Sequence, residues 1–351
     1  MPVVVDGIQG PVRANGPGPV GPAPGWDARP ECIHIALINN MPGAALEDTE
    51  QQFFELLCAA SDSLLVHLKL FSLPNVPRNG KGLLRLDRLY FGIEELLENR
   101  FDAVIITGTE PHQHDLRREP YWPALATVLD WAAENTASTV LSCLAAHAGA
   151  LHFDGIGRHL LADKQFGVFS CRKTTEHPLT RRAGDQLCFP HSRWNEVRAS
   201  DLISRGYTVL TQSADAGVDL FVKKRSRSLF VHFQGHPEYG RLTLLKEYRR
   251  DIRRFLNRER ETYPSMPRGY FDAETAGVFT AFRKQALANR FPEFMSQFPK
   301  TLDTNTLQNT WQPSGSAIYR DWLRYIAVKK TESPAFAAVP LAAHAHSAAG
   351  R

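Results

Sequence analysis

The chain has 351 residues, 43% hydrophobic and 22% charged, with a formal net charge of +4. That is ordinary globular composition, and it gives no case for a nucleic-acid protein, although a local basic site for a polyanionic ligand fits it. The five cysteines (32, 58, 143, 171 and 188) form no C-x-x-C pair, so neither a disulfide framework nor a zinc ribbon fits and free thiols in a reducing cytosol are expected.

The first thirty residues are rich in Pro and Gly and lack the basic start and apolar core of a signal peptide, so they read as a disordered tail. "CIHIALINN" (32–40) is the first strong strand. "LEDTEQQFFELLCAA" (46–60) follows as a helix, its first turn crowded with the carboxylates that a helix dipole favours. "LLVHLKLFSL" (64–73) is the next strand, and "FDAVIITG" (101–108) is a continuous apolar run ending in Thr-Gly, as a buried parallel strand meets its loop. "YWPALATVLDWAAEN" (121–135) is helical, and "STVLSC" (138–143) is a strand that runs into small residues. This alternation predicts an α/β fold, an open and mostly parallel sheet with helices on both faces, whose ligands bind beyond the carboxyl ends of the strands.

The second half reads as more β-rich, with strands at 207–212, 219–224 and 228–234, then "GHPEYG" and a basic helix over 241–259. Residues 263–300 read as irregular, 316–328 as a final helix, and 331–351 as a loose Ala-rich tail. No run of eighteen apolar residues is present, so no membrane-spanning helix and no membrane partner are expected.

Three strand ends carry candidate chemistry. Cys143 stands at a strand-to-helix turn, where the N–H groups of Leu144 and Ala145 would face the sulfur and favour a thiolate; a buried core thiol is the competing reading. His236 and Glu238 lie two apart across Pro237, a spacing that lets the carboxylate fix the imidazole tautomer. Gly108 and Thr109 could offer half of an oxyanion hole. In "PHSRWNEV" (190–197), Ser192 and Arg193 read as loop residues, the arginine suited to clamping a carboxylate. Glu247 and Arg250 share a helix face, to pair with each other or to hold an amino acid's ammonium and carboxylate. His112 and His114 form an H-x-H without further ligands at matching spacing, so no metal is expected. His147 lies one helical turn beyond Cys143 and ranks below His236 as a base.

The order strand-Thr-Gly, strand-Cys, strand-His-Pro-Glu resembles the class I glutamine amidotransferase fold, which is flavodoxin-like. A closer resemblance is to the homoserine O-succinyltransferase and O-acetyltransferase family, carried by "LINNMP", "TEQQF", "FDAVIITG", "YWPAL", "STVLSCLAAHAGAL", "FGVF", "PHSRW", "GHPEY", "EYRRD" and "NTWQPSGSAIYRDWLRY". It implies an acyltransferase domain over 31–262 and a C-terminal helical extension over 263–330 packed on it. It implies that Cys143 accepts an acyl group, with His236 as base and Glu238 as its partner, and that Arg193, Glu247 and Arg250 help bind the amino acid. It also implies acyl-CoA as co-substrate with no other cofactor, a cytoplasmic homodimer, and a place in methionine biosynthesis.

Three departures stand out. "MPGAALEDTE" lacks the family's lysine pair, His112 occupies the position that sorts succinyl from acetyl donors, and residues 272–300 are extra. The donor (succinyl or acetyl) and the acceptor (homoserine or serine) therefore stay open. A glutamine amidotransferase would carry glycines around its cysteine, where this chain has Ser142 and Ala145. A non-enzymatic relative would not be expected to keep Cys143, His236 and Glu238 together.

Overall fold

A computed structural model of the chain describes residues 3–6, 31–299 and 307–332. Ten strands form one mixed sheet in the order β1-β3-β2-β4-β5-β10-β9-β8-β6-β7. The parallel part holds β1 (Val3–Val5), β2 (Ile33–Ile38), β3 (Val66–Phe71), β4 (Ala103–Ile106), β5 (Ser138–Ser142) and β10 (Ser228–Phe233). The antiparallel part continues from β10 through β9 (Gly217–Arg225) and β8 (Thr208–Ser213) to β6 (His159–Lys173) and β7 (Gln186–Glu196).

Apolar strands buried on both faces need helices on both faces. One face is covered by α1 (Leu46–Ala60) and the C-terminal α9 (Gln312–Glu332), which place Phe53, Leu57, Tyr319 and Trp322 in a single core with the strand residues. The other is covered by α3 (Ile93–Glu98), α4 (Trp122–Asn135), α5 (Leu144–Asp154) and α6 (Ala199–Ser204). A third core joins Phe166 of β6 to α7 (Thr243–Leu256) and α8 (Ala273–Ala288). Helix α2 (Gly80–Leu89) lies near the surface, with Leu83 and Leu84 exposed. No helix among the described residues is long and apolar enough to cross a membrane.

Three expectations are corrected. Residues 3–5 are not part of a disordered tail: they pair with β3 as the sheet's edge strand, their valines buried. The remainder of that tail, like most of 331–351, lies outside the described residues. Residues 263–300 are not irregular throughout, because α8 buries Phe279, Phe282 and Ala286 along one helical face. Finally, "PHSRWNE" is not a loop but strand β7, paired with β6 along its length.

Candidate active site

The turn between β5 and α5 is a tight elbow. Cys143 has φ 51° and ψ −109°, a conformation costly for a residue with a Cβ. Its N–H donates to Phe233 O at 2.7 Å, and its carbonyl accepts from Ala146 N at 3.0 Å. The strain is held by close packing on both sides. A Cβ on Gly108 would stand 3.0 Å from Leu144 N, and a Cβ on Gly149 would meet the Leu141 side chain. The small-residue run after Cys143 therefore lets α5 lie directly against the sheet. The first N–H groups of α5 have no carbonyl one turn back within the helix, so the elbow gathers donors beside the sulfur.

The base arrives on the loop after β10. His236 Nδ1 and Glu238 Oε1 are 2.8 Å apart, and Ser142 Oγ donates to the same carboxylate oxygen at 3.0 Å. With Nδ1 engaged, Nε2 is left for the Cys143 sulfur, which shares the cavity wall and whose charge acts on the imidazole. Burial alone would depress the His236 pKa. The charge on Cys143 and then that on Glu238 outweigh burial and hold it well above the ordinary histidine value. The loop is anchored: His236 N donates to Pro190 O at 2.8 Å, Gly235 N to Asp219 Oδ1 at 3.1 Å, and the His236 ring stacks on Tyr239 with centroids 4.1 Å apart. The C-terminal helix braces it from below. Trp311 Nε1 donates to Tyr239 O at 2.6 Å, and a Cβ on Gly315 would sit 2.9 Å from Pro237 O.

Cys143, His236 and Glu238 open onto a cavity of about 760 Å³ whose walls also include Gly108, Thr109, Leu144, Ser192, Arg193, Glu247 and Arg250. Most residues singled out in the sequence thus converge. Arg193 is buried and rigid: Nε donates to His191 Nδ1 at 3.2 Å, Nη1 to Asn195 O at 2.8 Å, and Nη2 to Ala216 O. Glu247 is saturated, accepting from Tyr239 OH at 2.6 Å and from Ser192 Oγ, with Lys164 Nζ at 3.5 Å and Arg250 Nη2 at 3.7 Å. Burial pushes the Glu247 carboxyl up, but Lys164, Arg250 and the two hydroxyl donors hold it below its ordinary value. It is an ionised carboxylate shared among neighbours rather than an open one.

His112 is exposed and does not line the cavity; its N–H donates to Glu119 Oε1 at 2.6 Å, and the neighbouring wall is made by Thr109, Glu110 and Pro111. His147 is buried, its Nε2 2.9 Å from Gln234 Oε1, and burial pushes its pKa down to about 3, which leaves it a neutral structural partner. Among the described residues no group of three His, Cys, Asp or Glu is arranged to hold a metal.

Among the cavity residues not singled out in the sequence, Lys164 and Arg158 stand out. Lys164 bridges Glu247 and Asp251, lying 3.1 Å from the latter. Its signal was its place two residues before the quoted "FGVF". Arg158, on the loop after α5, carried no local signal at all.

Comparisons with known proteins identify the family of the chain. The family described as "HTS: Homoserine O-succinyltransferase" matches residues 23–333. A homoserine O-succinyltransferase of Rhodopseudomonas palustris is 44% identical over 305 residues, covering 87% of this chain and 91% of that protein. One from Methylorubrum extorquens is 42% identical over 295 residues, covering 84% and 87%. Among solved structures, a glutamine amidotransferase from Thermotoga maritima aligns over 84% of this chain and 98% of its own, at 12% identity and a TM-score of 0.46. The chain belongs to the homoserine O-succinyltransferase family and is an acyltransferase.

Proposed function

We propose that this acyltransferase moves an acyl group from acyl-CoA to the hydroxyl of L-homoserine through a thioester on Cys143. The observation that carries the reading is the strained elbow that sets Cys143 beside a His236–Glu238 pair on a cavity of about 760 Å³ lined by charged side chains. The relatives named homoserine O-succinyltransferase support homoserine as acceptor and a succinyl donor.

In this cycle Cys143 acts as the thiolate and His236 as the imidazolium. The Cys143 sulfur attacks the thioester carbonyl, and N–H groups at Leu144 and along the Gly108–Thr109 loop stabilise the developing oxyanion. Collapse forms acyl-Cys143 and releases CoA thiolate, which takes the imidazolium proton and leaves as the thiol. Thioester exchange is nearly isoenergetic, so a cysteine nucleophile suits the step. Neutral His236 then removes the proton from the homoserine hydroxyl as that oxygen attacks the acyl carbon. The second collapse yields the ester and returns Cys143 and His236 to thiolate and imidazolium. Glu238 accepts from Nδ1–H throughout and keeps the tautomer. Arg193 and Arg250 bind the amino acid's carboxylate, and the Glu247 cluster receives its ammonium. O-acylation turns a poor leaving group into a good one, which places the reaction ahead of a sulfur-for-oxygen replacement, in methionine biosynthesis.

The test is thiol release. Protein is given succinyl-CoA or acetyl-CoA with homoserine or serine, and free CoA is followed with time. Mass spectrometry after donor alone should find the acyl group on the peptide carrying Cys143. No CoA release with any pair, or full activity in Cys143→Ala, overturns the reading.

A further inference from the structure

Six cations line the cavity, and their partners sort them. Among the described residues Lys164, Arg250 and Arg260 make ion pairs with Asp251, and Arg254 with Glu110 at 3.1 Å. Two make no ion pair among the described residues, Arg193 and Arg158. Arg193 stands beside Ser192 and the Glu247 cluster, on the side proposed for the amino acid. Arg158 stands on the other side, against the loop that follows β4. Its Nη2 donates to the carbonyl of His114 at 2.9 Å, and its Nε and Nη1 have no hydrogen-bond partner among the described residues. Its charge is close enough to Cys143 for the two to interact.

The surroundings leave this guanidinium facing the cavity. Glu119, the buried carboxylate of that loop, is turned to the backbone: Oε1 accepts from the N–H groups of His112 and Gln113 at 2.6 Å each. This fixes the loop that Arg158 rests on without spending a salt bridge on it. A second observation points the same way. The Tyr121 hydroxyl is buried and has no hydrogen-bond partner among the described residues, and Tyr121 lines the small hollow behind Gly108 and Leu144, next to the elbow. A buried unpaired donor near an unpaired guanidinium is costly unless an acceptor arrives.

We propose that Arg158 is the residue that recognises the donor's second carboxylate, making this enzyme selective for a dicarboxylic acyl group over acetyl. The inference rests on the acyl-transfer reading and names its donor. The stoichiometry of charge supports it: the reaction brings one carboxylate on the amino acid and, with a succinyl donor, a second one two methylenes beyond the thioester carbon. Each is matched by one cavity arginine that makes no ion pair among the described residues. An acetyl donor would leave Arg158 without a direct ion pair, with only the longer-range charges of Glu119 and Asp115. Guanidinium and carboxylate also match as planar, two-pronged partners.

The experiment compares succinyl-CoA and acetyl-CoA, each with homoserine, in the wild type, Arg158→Met and Arg158→Lys. Wild type should prefer succinyl-CoA. In Arg158→Met, kcat/KM for succinyl-CoA should fall about 10- to 100-fold, the range for a lost charged hydrogen bond, while acetyl-CoA changes by less than about threefold. Arg158→Lys keeps the charge and should recover part of the loss; it also serves if the Met variant folds poorly. Equal losses with both donors would assign Arg158 to the CoA phosphates or to loop support and overturn the proposal. So would a wild type that uses acetyl-CoA as well as succinyl-CoA, with acyl transfer itself left intact. A wild type inert with both donors fails the underlying acyl-transfer reading instead.

Discussion

The two walls of the Cys143 cleft are built by different means. One wall is made where parallel strands stop: β4 ends at Ile106, just before Thr107 and Gly108, β5 at Ser142, just before Cys143, and β10 at Phe233, before His236, each handing the chain to a loop or helix end. The other is the β6–β7 ribbon, where Ser192, Arg193 and Lys164 project from strands in mid-course. On the first wall, backbone N–H groups and a strained residue do the work, and they act where bonds change. On the second, long side chains are held in fixed geometry by the ladder behind them, and they read a ligand. If that division is right, variants of the first wall should stop acyl-enzyme formation, and variants of the second should spare it and impair only transfer to the amino acid.

The largest effect belongs to the elbow. Cys143→Gly should remove at least about three orders of magnitude from kcat, as loss of a nucleophile does. The same change should raise stability by about 1 kcal/mol, because glycine relieves the positive φ. Urea denaturation followed by circular dichroism measures it. A destabilised Cys143→Gly would mean that the elbow is not strained, and the contrast between the walls would lose its physical basis.

Next is Arg193→Met. With donor alone, acylation of Cys143 should proceed at close to the wild-type rate. In the full reaction KM for homoserine should rise about 10- to 100-fold through the lost charged contact. Single-turnover quench with mass detection separates the halves. Equal slowing of acylation would show that Arg193, which interacts electrostatically with Cys143, serves the chemistry instead.

A smaller effect distinguishes charge from shape within the first wall. His236 is held protonated above its ordinary range by Cys143 and Glu238 together. Acylation uses that imidazolium, so its rate should fall as pH rises through the folded His236 pKa. Glu238→Gln removes one of the two supporting charges and should move this alkaline limb to lower pH. The loss therefore grows with pH, from roughly tenfold near neutrality. An unmoved limb would mean that Glu238 only orients the ring.

The same contrast explains what could be read without coordinates. Helix 46–60 and the strands over 101–108 and 138–143 were legible because their signals are local: an apolar run, then small or turn residues. Cys143, His236, Glu238 and Gly108 inherit that legibility by sitting at strand ends. Strand β7 was hidden for the opposite reason. Its inward positions run Leu187, Phe189, His191 and Arg193, and Pro190 interrupts the run. The apolar alternation therefore stops after two residues, too short to read as a strand. Strand β1 is three valines whose partner lies some sixty residues away, and Arg158 becomes meaningful only once α5 carries it beside the loop after β4.

The last prediction is the smallest, and it asks whether the first wall ends at its loops. Trp311, Gly315 and Tyr319 recur at helical spacing of four, on the side of the C-terminal segment that meets "HPEY". Trp311 and Gly315 contact the backbone of that loop. Tyr319 is buried, feels the charge of Glu238, and has a hydroxyl without a partner among the described residues. Glu238 Oε2 is buried and unpartnered in the same way. A small rotation or one bridging water joins a donor to an acceptor that both lack one. Tyr319→Phe should then keep the fold and its melting temperature while lowering kcat only about threefold, less than the full worth of a hydrogen bond to a charged carboxylate because Tyr319 acts on the reaction through Glu238. The sign of the pH shift is the sharper readout. Losing a donor makes Glu238 a stronger acceptor for the imidazolium, so the alkaline limb should move up, opposite to Glu238→Gln. An unmoved limb confines the catalytic wall to its loops and leaves Tyr319 a packing residue.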